Sequence, residues 1–382
     1  MTGHSRDPRG IFRAMTSDPN TTEIDRLLEE LTTAPGPTGF EGSVREIVRR
    51  ELSPIATSIE TDALGSLITT LRGSSDRPRV MFAAHMDELG LLVRRVTDEG
   101  FVKFQTLGGW LDQALVNQRW QILTRDGAVP ALTGIKTVHV MTPEARGKVF
   151  KKEDLFLDVG ASSKEDAEQR LGIRPGDPVV PDSGFAPMAG GDLLLSKAWD
   201  DRIGVALMMG TMNALAASGD HPNTVIGVAT VQEEVGLRGA QTSAYQVDPD
   251  VGLSLEVGVA GDYPGATVDE AQEKIGGGPA IFLHDSSMLP NLKLRDLVID
   301  VAEQAGIPLQ FNVLTGYGED GSAIQRSRGG APTINITVPA RYLHSHNGII
   351  SRDDYVKAVE LVTALVRRLD EATVASLTAF DD

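Results

Sequence analysis

The sequence has 382 residues, 41% of them hydrophobic and 23% charged, with a formal net charge of −17. That length exceeds what one hydrophobic core serves, so two domains are expected, and so acidic a balance argues against nucleic acid or anionic membrane as partners. The absence of cysteine excludes disulfides, thiolate metal sites and thiol catalysis, which leaves His, Asp and Glu as the metal-binding side chains.

Residues 1–20 are polar, carry Pro, Gly and mixed charge, and lack the apolar core of a secretory signal. They read as a loose tail. No apolar stretch approaches the roughly 20 residues of a membrane span, and a cytoplasmic protein is expected. "NTTEIDRLLEELTTAPGPTGFEG" gives helical spacing at Ile24, Leu27, Leu28 and Leu31 and breaks at Pro35–Gly36–Pro37. "EGSVREIVRRELSP" is a second amphipathic helix. "IETDALGSLITTLRG" reads as a hairpin turning at Ala63–Gly65. "RVMFAAHMDELGLLV" reads as one continuous apolar strand interrupted by His85, Asp87 and Glu88.

From about 90 to 188 the texture changes to short β-type runs between turn residues, with one short helix expected around "SKEDAEQRLG". From 199 helix and strand alternate again. "DDRIGVALMMGTMNALAA" is a helix with acidic residues at its start. Strands follow at 224–232, 251–257, 279–283, 309–314 and 332–338, with helices at 291–305 and from about 351. This alternation implies a layered α/β sheet, interrupted by the β-rich segment as an insertion.

Four places put His or carboxylates at the ends of apolar strands or the start of a helix. In "AAHMDELG", His85 and Asp87 share a strand face because side chains alternate with a period of two. An imidazole beside a carboxylate suits a metal ligand with its orienting partner, or a satisfied surface histidine. In "SKAWDDRIG", Asp200 and Asp201 either bind a cation or simply cap a helix. In "TVQEEVGLRG", adjacent strand residues would face opposite sides. Glu233 and Glu234 can then serve one pocket only if the chain turns there, which Gly236 and Gly239 permit; otherwise one binds and the other caps the next helix. "PARYLHSHNG" offers His344 and His346 after a strand, with His346 expected at the surface. Glu256 lies within the apolar strand "GLSLEVGVAGD", where a carboxylate is costly unless paired or metal-bound. His85, Asp200, Glu234, Glu256 and His344 form a mixed nitrogen and oxygen set suited to zinc, cobalt or manganese. One bridging carboxylate would give each of two ions three ligands and an open position for water.

The segments "HMDELG", "SKAWDDR", "VQEEVGLRGA", "VAGD" and "ARYLHS", in this order and spacing, resemble the tetrahedral-aminopeptidase family. That family includes glutamyl, leucyl and lysyl aminopeptidases and proteins labelled endoglucanase. The resemblance covers roughly residues 22–370. It implies a mixed-sheet α/β di-zinc exopeptidase core formed by residues 21–89 and 188–382, with a small β-barrel-like dimerisation domain inserted at 90–187. It implies two divalent ions per subunit, zinc first, with cobalt or manganese as alternatives. Asp200 would bridge them. His85 and Glu256 would complete one site, and Glu234 and His344 the other. Glu233 would be the general base, Asp87 would orient His85, and Asp320 in "GYGEDGSAI" would lie near the substrate. The implied activity is removal of N-terminal residues from peptides, and the implied assembly is a homododecamer built from dimers.

Three positions depart from the family pattern. Glu256 and Asp201 stand where Asp and Asn are usual, and Ser345–His346–Asn347 replaces the usual Ser-Pro after His344. A related carboxypeptidase or deacylase is the nearest rival reading. A glucanase fits less well, because glycoside hydrolysis needs two carboxyl groups flanking the bond and aromatic residues are only 5% of the chain. A non-catalytic assembly protein would have no reason to keep all five ligand types and the base.

Overall fold

The computed structural model describes residues 19–380, so all but the last two residues of the expected tail lie outside it. The first helices, Pro19–Thr33 and Gly42–Leu52, lie where the apolar spacing places them, and the second buries Val44, Ile47, Val48 and Leu52. The hairpin follows as Ser58–Thr61 paired antiparallel with Leu67–Arg72. One Asp62 oxygen closes its turn by accepting the N–H groups of Leu64, Gly65 and Ser66.

The main sheet is mixed and eleven-stranded among the described residues. At its centre four strands run parallel in the order Thr224–Thr230, Arg79–His85, Val251–Val259, Thr333–Arg341. Their carboxyl ends therefore open on the same edge, where ligands of α/β sheets bind. Both faces of these strands are covered, so they read as continuous apolar runs rather than alternating ones. Along Arg79–His85, Val80, Phe82 and Ala84 face the larger core, under helices such as Trp199–Ser218 and Arg352–Arg368. Met81 and Ala83 face a smaller cluster with Ala244, Val247 and Ile324. The helix Arg352–Arg368 shows how its ends are fixed. Ser351 caps it by accepting the Asp354 N–H, acidic residues occupy the first turn, and Arg367 and Arg368 the last.

A second body is a closed barrel of six strands drawn from Gly90 to Pro181. Its core gathers Leu91, Val93, Val102, Trp120, Ile122 and Val179. The expected helix near "SKEDAEQRLG" is present as one wide turn at Asp166–Arg170, joined by a short turn at Pro143–Arg146 that Thr142 caps.

The run "RVMFAAHMDELGLLV" is not one strand. It divides into Arg79–His85 in the main sheet and Gly90–Val96 in the barrel. Between them the backbone pairs elsewhere: Met86 N–H with the Thr230 carbonyl and Glu88 N–H with that of Gly36. The buried polar side chains at 87 and 88 are what the break serves. The helix after the paired glutamates, anticipated without bounds, is Arg238–Val247, and the strands Leu193–Ser196 and Gly348–Ser351 were not expected. Arg238–Val247 packs through Gly239, Ala240, Ser243, Ala244 and Val247, helically spaced but mostly small residues. Among the described residues no helix is long and apolar enough to cross a membrane.

Candidate active site

Each group at the carboxyl edge of the parallel strands is delivered by a distinct local device. His85 ends its strand with its backbone N–H on Asp201 Oδ2 at 3.2 Å. Its Nδ1 sits 3.0 Å from the Asp87 carbonyl. A carbonyl only accepts, so Nδ1 carries a hydrogen, and Nε2 is the nitrogen that faces the cavity, 3.1 Å from Asp200 Oδ1. Asp200 and Asp201 occupy non-helical turns at the start of Trp199–Ser218. Asp201 is the capping residue of the pair: Oδ1 takes the Gly204 N–H at 3.1 Å while Oδ2 takes that of His85. Asp200 reaches the cavity instead. Arg202 ties this helix start to neighbouring loops, donating to the carbonyls of Met86, Leu31 and Ala34.

The doubled glutamates are placed by an abrupt turn. After Val231, Gln232 adopts φ +56°, Glu233–Val235 make one tight helical turn, and Gly236 has φ +121°. A Cβ on Gly239 would come 2.5 Å from Val231 N, so only glycine lets the next helix pack against the strand end. Asp87 fixes this turn. Its Oδ1 accepts the Glu233 N–H at 3.0 Å, and its Oδ2 accepts the Glu234 N–H at 3.2 Å and the Thr38 hydroxyl at 2.9 Å. The Asp87 carboxylate therefore orients the two glutamates. His85 is held chiefly by the Asp87 main chain, since Nδ1 lies 3.5 Å from Oδ1.

The side chains converge on a cavity of about 400 Å³. Asp200 is central. Its Oδ1 lies 3.1 Å from His85 Nε2 and its Oδ2 3.4 Å from His344 Nε2. Glu256 Oε2 is 3.9 Å and Glu233 Oε2 3.8 Å from His85 Nε2, and Glu234 Oε2 is 3.9 Å from His344 Nε2. His344 donates Nδ1–H to the Gly109 carbonyl at 2.6 Å, so Nε2 is again the nitrogen that faces the cavity. Asp200, Glu234 and His344 can bring ligand atoms within 4.8 Å of one another, as can His85, Asp201 and Glu256. The same holds for His85, Glu233 and Glu234, and both oxygens of Asp201 already accept backbone N–H groups.

Burial and crowding raise the Glu233 and Glu256 carboxyls well above their usual range. Burial, reinforced by Asp200, lifts Glu234 to about 8. Burial opposes a charge on His344, but hydrogen bonding to Asp200 outweighs it and lifts the imidazole to about 9. So many acids around two imidazoles, with Glu234 Oε1 buried and unpartnered, form a set that divalent cations fit.

Two residues sit differently from expectation. Asp320 does not line the cavity. It is fully buried behind it, with Oδ2 accepting the Thr230 hydroxyl at 2.5 Å, and its neighbour Glu319 lines the cavity with Tyr317. Residue spacing alone could not choose between two adjacent acids at the start of the helix Asp320–Gln325. His346 is not a surface residue. It is 3% exposed, its ring 4.3 Å from that of Trp120 and 5.4 Å from that of Trp110, and burial pushes its pKa down to about 4. The aromatic partners come from the barrel, far away in sequence, which is why a local reading missed them.

Residues 65–361 match the family model described as M42 glutamyl aminopeptidase. The chain is 35% identical over 356 residues to the putative aminopeptidase FrvX of Escherichia coli, covering 93% of this chain and 98% of that one. Its fold superposes on the TET aminopeptidase of a marine sediment thaumarchaeote with a TM-score of 0.92, at 44% identity over 94% of this chain and 100% of the other. The Pyrococcus horikoshii TET1 peptidase, which can assemble into a tetrahedron or a large octahedral shell, follows at 0.81 and 33% identity, over 91% and 100%. With the mixed sheet, the barrel and an acid-and-histidine cavity at the sheet's carboxyl edge, these likenesses establish the chain as a member of the peptidase M42 family, an aminopeptidase and hence a peptide hydrolase.

Proposed function

We propose that the chain removes N-terminal residues from peptides with a pair of divalent metal ions, held by His85, Asp200 and Glu256 on one side and by Asp200, Glu234 and His344 on the other. The observation that carries this reading is the placement of Asp200, one oxygen toward each histidine Nε2. Bound divalent ions would supply an activated water of lowered pKa and polarisation of the scissile carbonyl. Zinc is the first candidate, cobalt and manganese the next.

Glu233 is the general base in this reading. Asp87 holds its backbone N–H, so its carboxylate is aimed into the cavity one residue before the ligand Glu234. It would take the water's proton and return it to the departing amine. Asp87 acts by positioning: its carboxylate fixes both glutamates and its carbonyl fixes the His85 tautomer. We assign residues 21–89 and 188–382 to the catalytic part and residues 90–187 to self-association; the shells of the Pyrococcus horikoshii relative support assembly as such. A homododecamer built from dimers is the assembly we expect.

A panel of aminoacyl anilides and their N-acetylated counterparts tests the reaction. Metal-loaded protein is expected to cleave only the free amines. Cleavage restricted to blocked substrates would assign it to the deacylases instead.

A further inference from the structure

We propose that Glu319 receives an ammonium group of the substrate's N-terminal residue, an inference that rests on the aminopeptidase reading above. Glu319 is 1% exposed and lines the same cavity as Glu233 and Glu256. Neither of its carboxylate oxygens has a hydrogen-bond partner among the described residues. Its buried acidic neighbours are served differently. Asp285 takes the N–H groups of Ser287 and Met288 on one oxygen and the Asn335 amide on the other. Asp320 takes the Thr230 hydroxyl, and Glu88 takes Lys197. The strongest charges bearing on Glu319 are carboxylates, those of Asp285, Asp201, Glu233 and Glu273.

A buried carboxylate without hydrogen bond or counter-charge is costly. Two divalent ions would carry four positive charges, matched by the four carboxylates Asp200, Glu233, Glu234 and Glu256 around the cavity. Glu319 is the acid left over on that wall, and among the described residues no Lys or Arg lines the cavity. A cation from outside would complete Glu319, and every free-amine peptide brings one. The same count disfavours an N-terminal Glu or Asp, whose side chain would meet no positive residue here. The ammonium can be the α-ammonium of any substrate or the side-chain cation of an N-terminal Lys or Arg.

The test compares wild type with Glu319→Gln, which keeps the shape and removes the charge, and with Glu319→Ala in case the amide distorts the loop. Kinetics on leucyl, lysyl and glutamyl anilides are joined to metal content and to calorimetric binding of leucinamide and lysinamide. KM should rise about tenfold or more, the scale of a charge-assisted hydrogen bond, with kcat less affected and metal content unchanged. An equal rise for leucyl and lysyl substrates identifies the α-ammonium; a rise confined to lysyl identifies the side chain. KM values and amide affinities within twofold of wild type in both variants would overturn the proposal. So would loss of a metal ion, which would make Glu319 a ligand. If the wild type cleaves none of these anilides, the aminopeptidase reading fails on its own, while amide binding still judges Glu319: weakened binding in the variants upholds it and unchanged binding overturns it.

Discussion

The Asp87 carboxylate accepts the Glu233 backbone N–H at 3.0 Å, so the end of one strand sets the direction of the next strand's outgoing turn. The same carboxylate holds Glu234 N–H and the Thr38 hydroxyl. Every partner of its two oxygens is a donor, and an amide in its place would turn its own N–H₂ against one of them. Asp87→Asn is therefore expected to weaken metal binding about 10–100-fold while the chain still folds. Competition with a graded series of chelators measures it, and an unchanged affinity would show that Asp87 has no positioning role.

Glu233→Gln separates binding from chemistry. It keeps the backbone N–H that Asp87 accepts and removes only the proton acceptor. Metal content should equal that of wild type, and kcat should fall by about 10²–10⁴. A variant with near-normal turnover would remove Glu233 from the mechanism.

The buried ion cluster beside the site is a stability element. Lys197 Nζ lies 2.7 and 2.6 Å from the two oxygens of Glu88, and the Arg202 guanidinium 3.5 Å from one of them. Lys197→Met leaves Glu88 buried with only Arg202 and the Gly36 N–H. A loss of about 3–5 kcal/mol is expected in urea unfolding. Adding Glu88→Gln should recover part of it, since the uncompensated charge is then gone.

Glu273 predicts a pH dependence of stability. It is fully buried, and burial pushes its carboxyl up to about 7 from the usual 4.5. Between those values the folded chain holds a proton that the unfolded chain has released. Stability from this group therefore falls as pH rises through that window, and the loss is complete above about 7. Glu273→Gln should abolish the effect, so its stability relative to wild type should improve by about 2–3 kcal/mol between pH 5 and pH 8. A pH-independent difference in urea unfolding would contradict this assignment.

Much of the fold is legible in the sequence, because the four central strands are continuous apolar runs and helices such as Gly42–Leu52 and Arg352–Arg368 carry clear spacing. The bounds of Arg238–Val247 were not legible, since it packs through mostly small residues, and neither was the break after His85, since it is made by backbone pairing with distant loops. The site candidates His85, Asp200, Glu233, Glu234 and His344 were visible as polar residues at the edges of apolar runs and Glu256 as one within such a run, and the fold brings them to one cavity. The choice of Glu319 over Asp320, and the burial of His346 between two barrel tryptophans, depend on long-range packing that no local pattern encodes.

The central claim is a two-ion site organised by Asp200 and used by Glu233. Stepwise return of zinc, cobalt or manganese to metal-stripped protein, with ions per chain and leucyl-anilide turnover read on the same samples, tests it most directly. Two ions should bind per chain, turnover should appear as they do, and Glu233→Gln should bind both without turning over. Turnover that persists in fully stripped protein, or binding that saturates below two ions per chain in active protein, would contradict it.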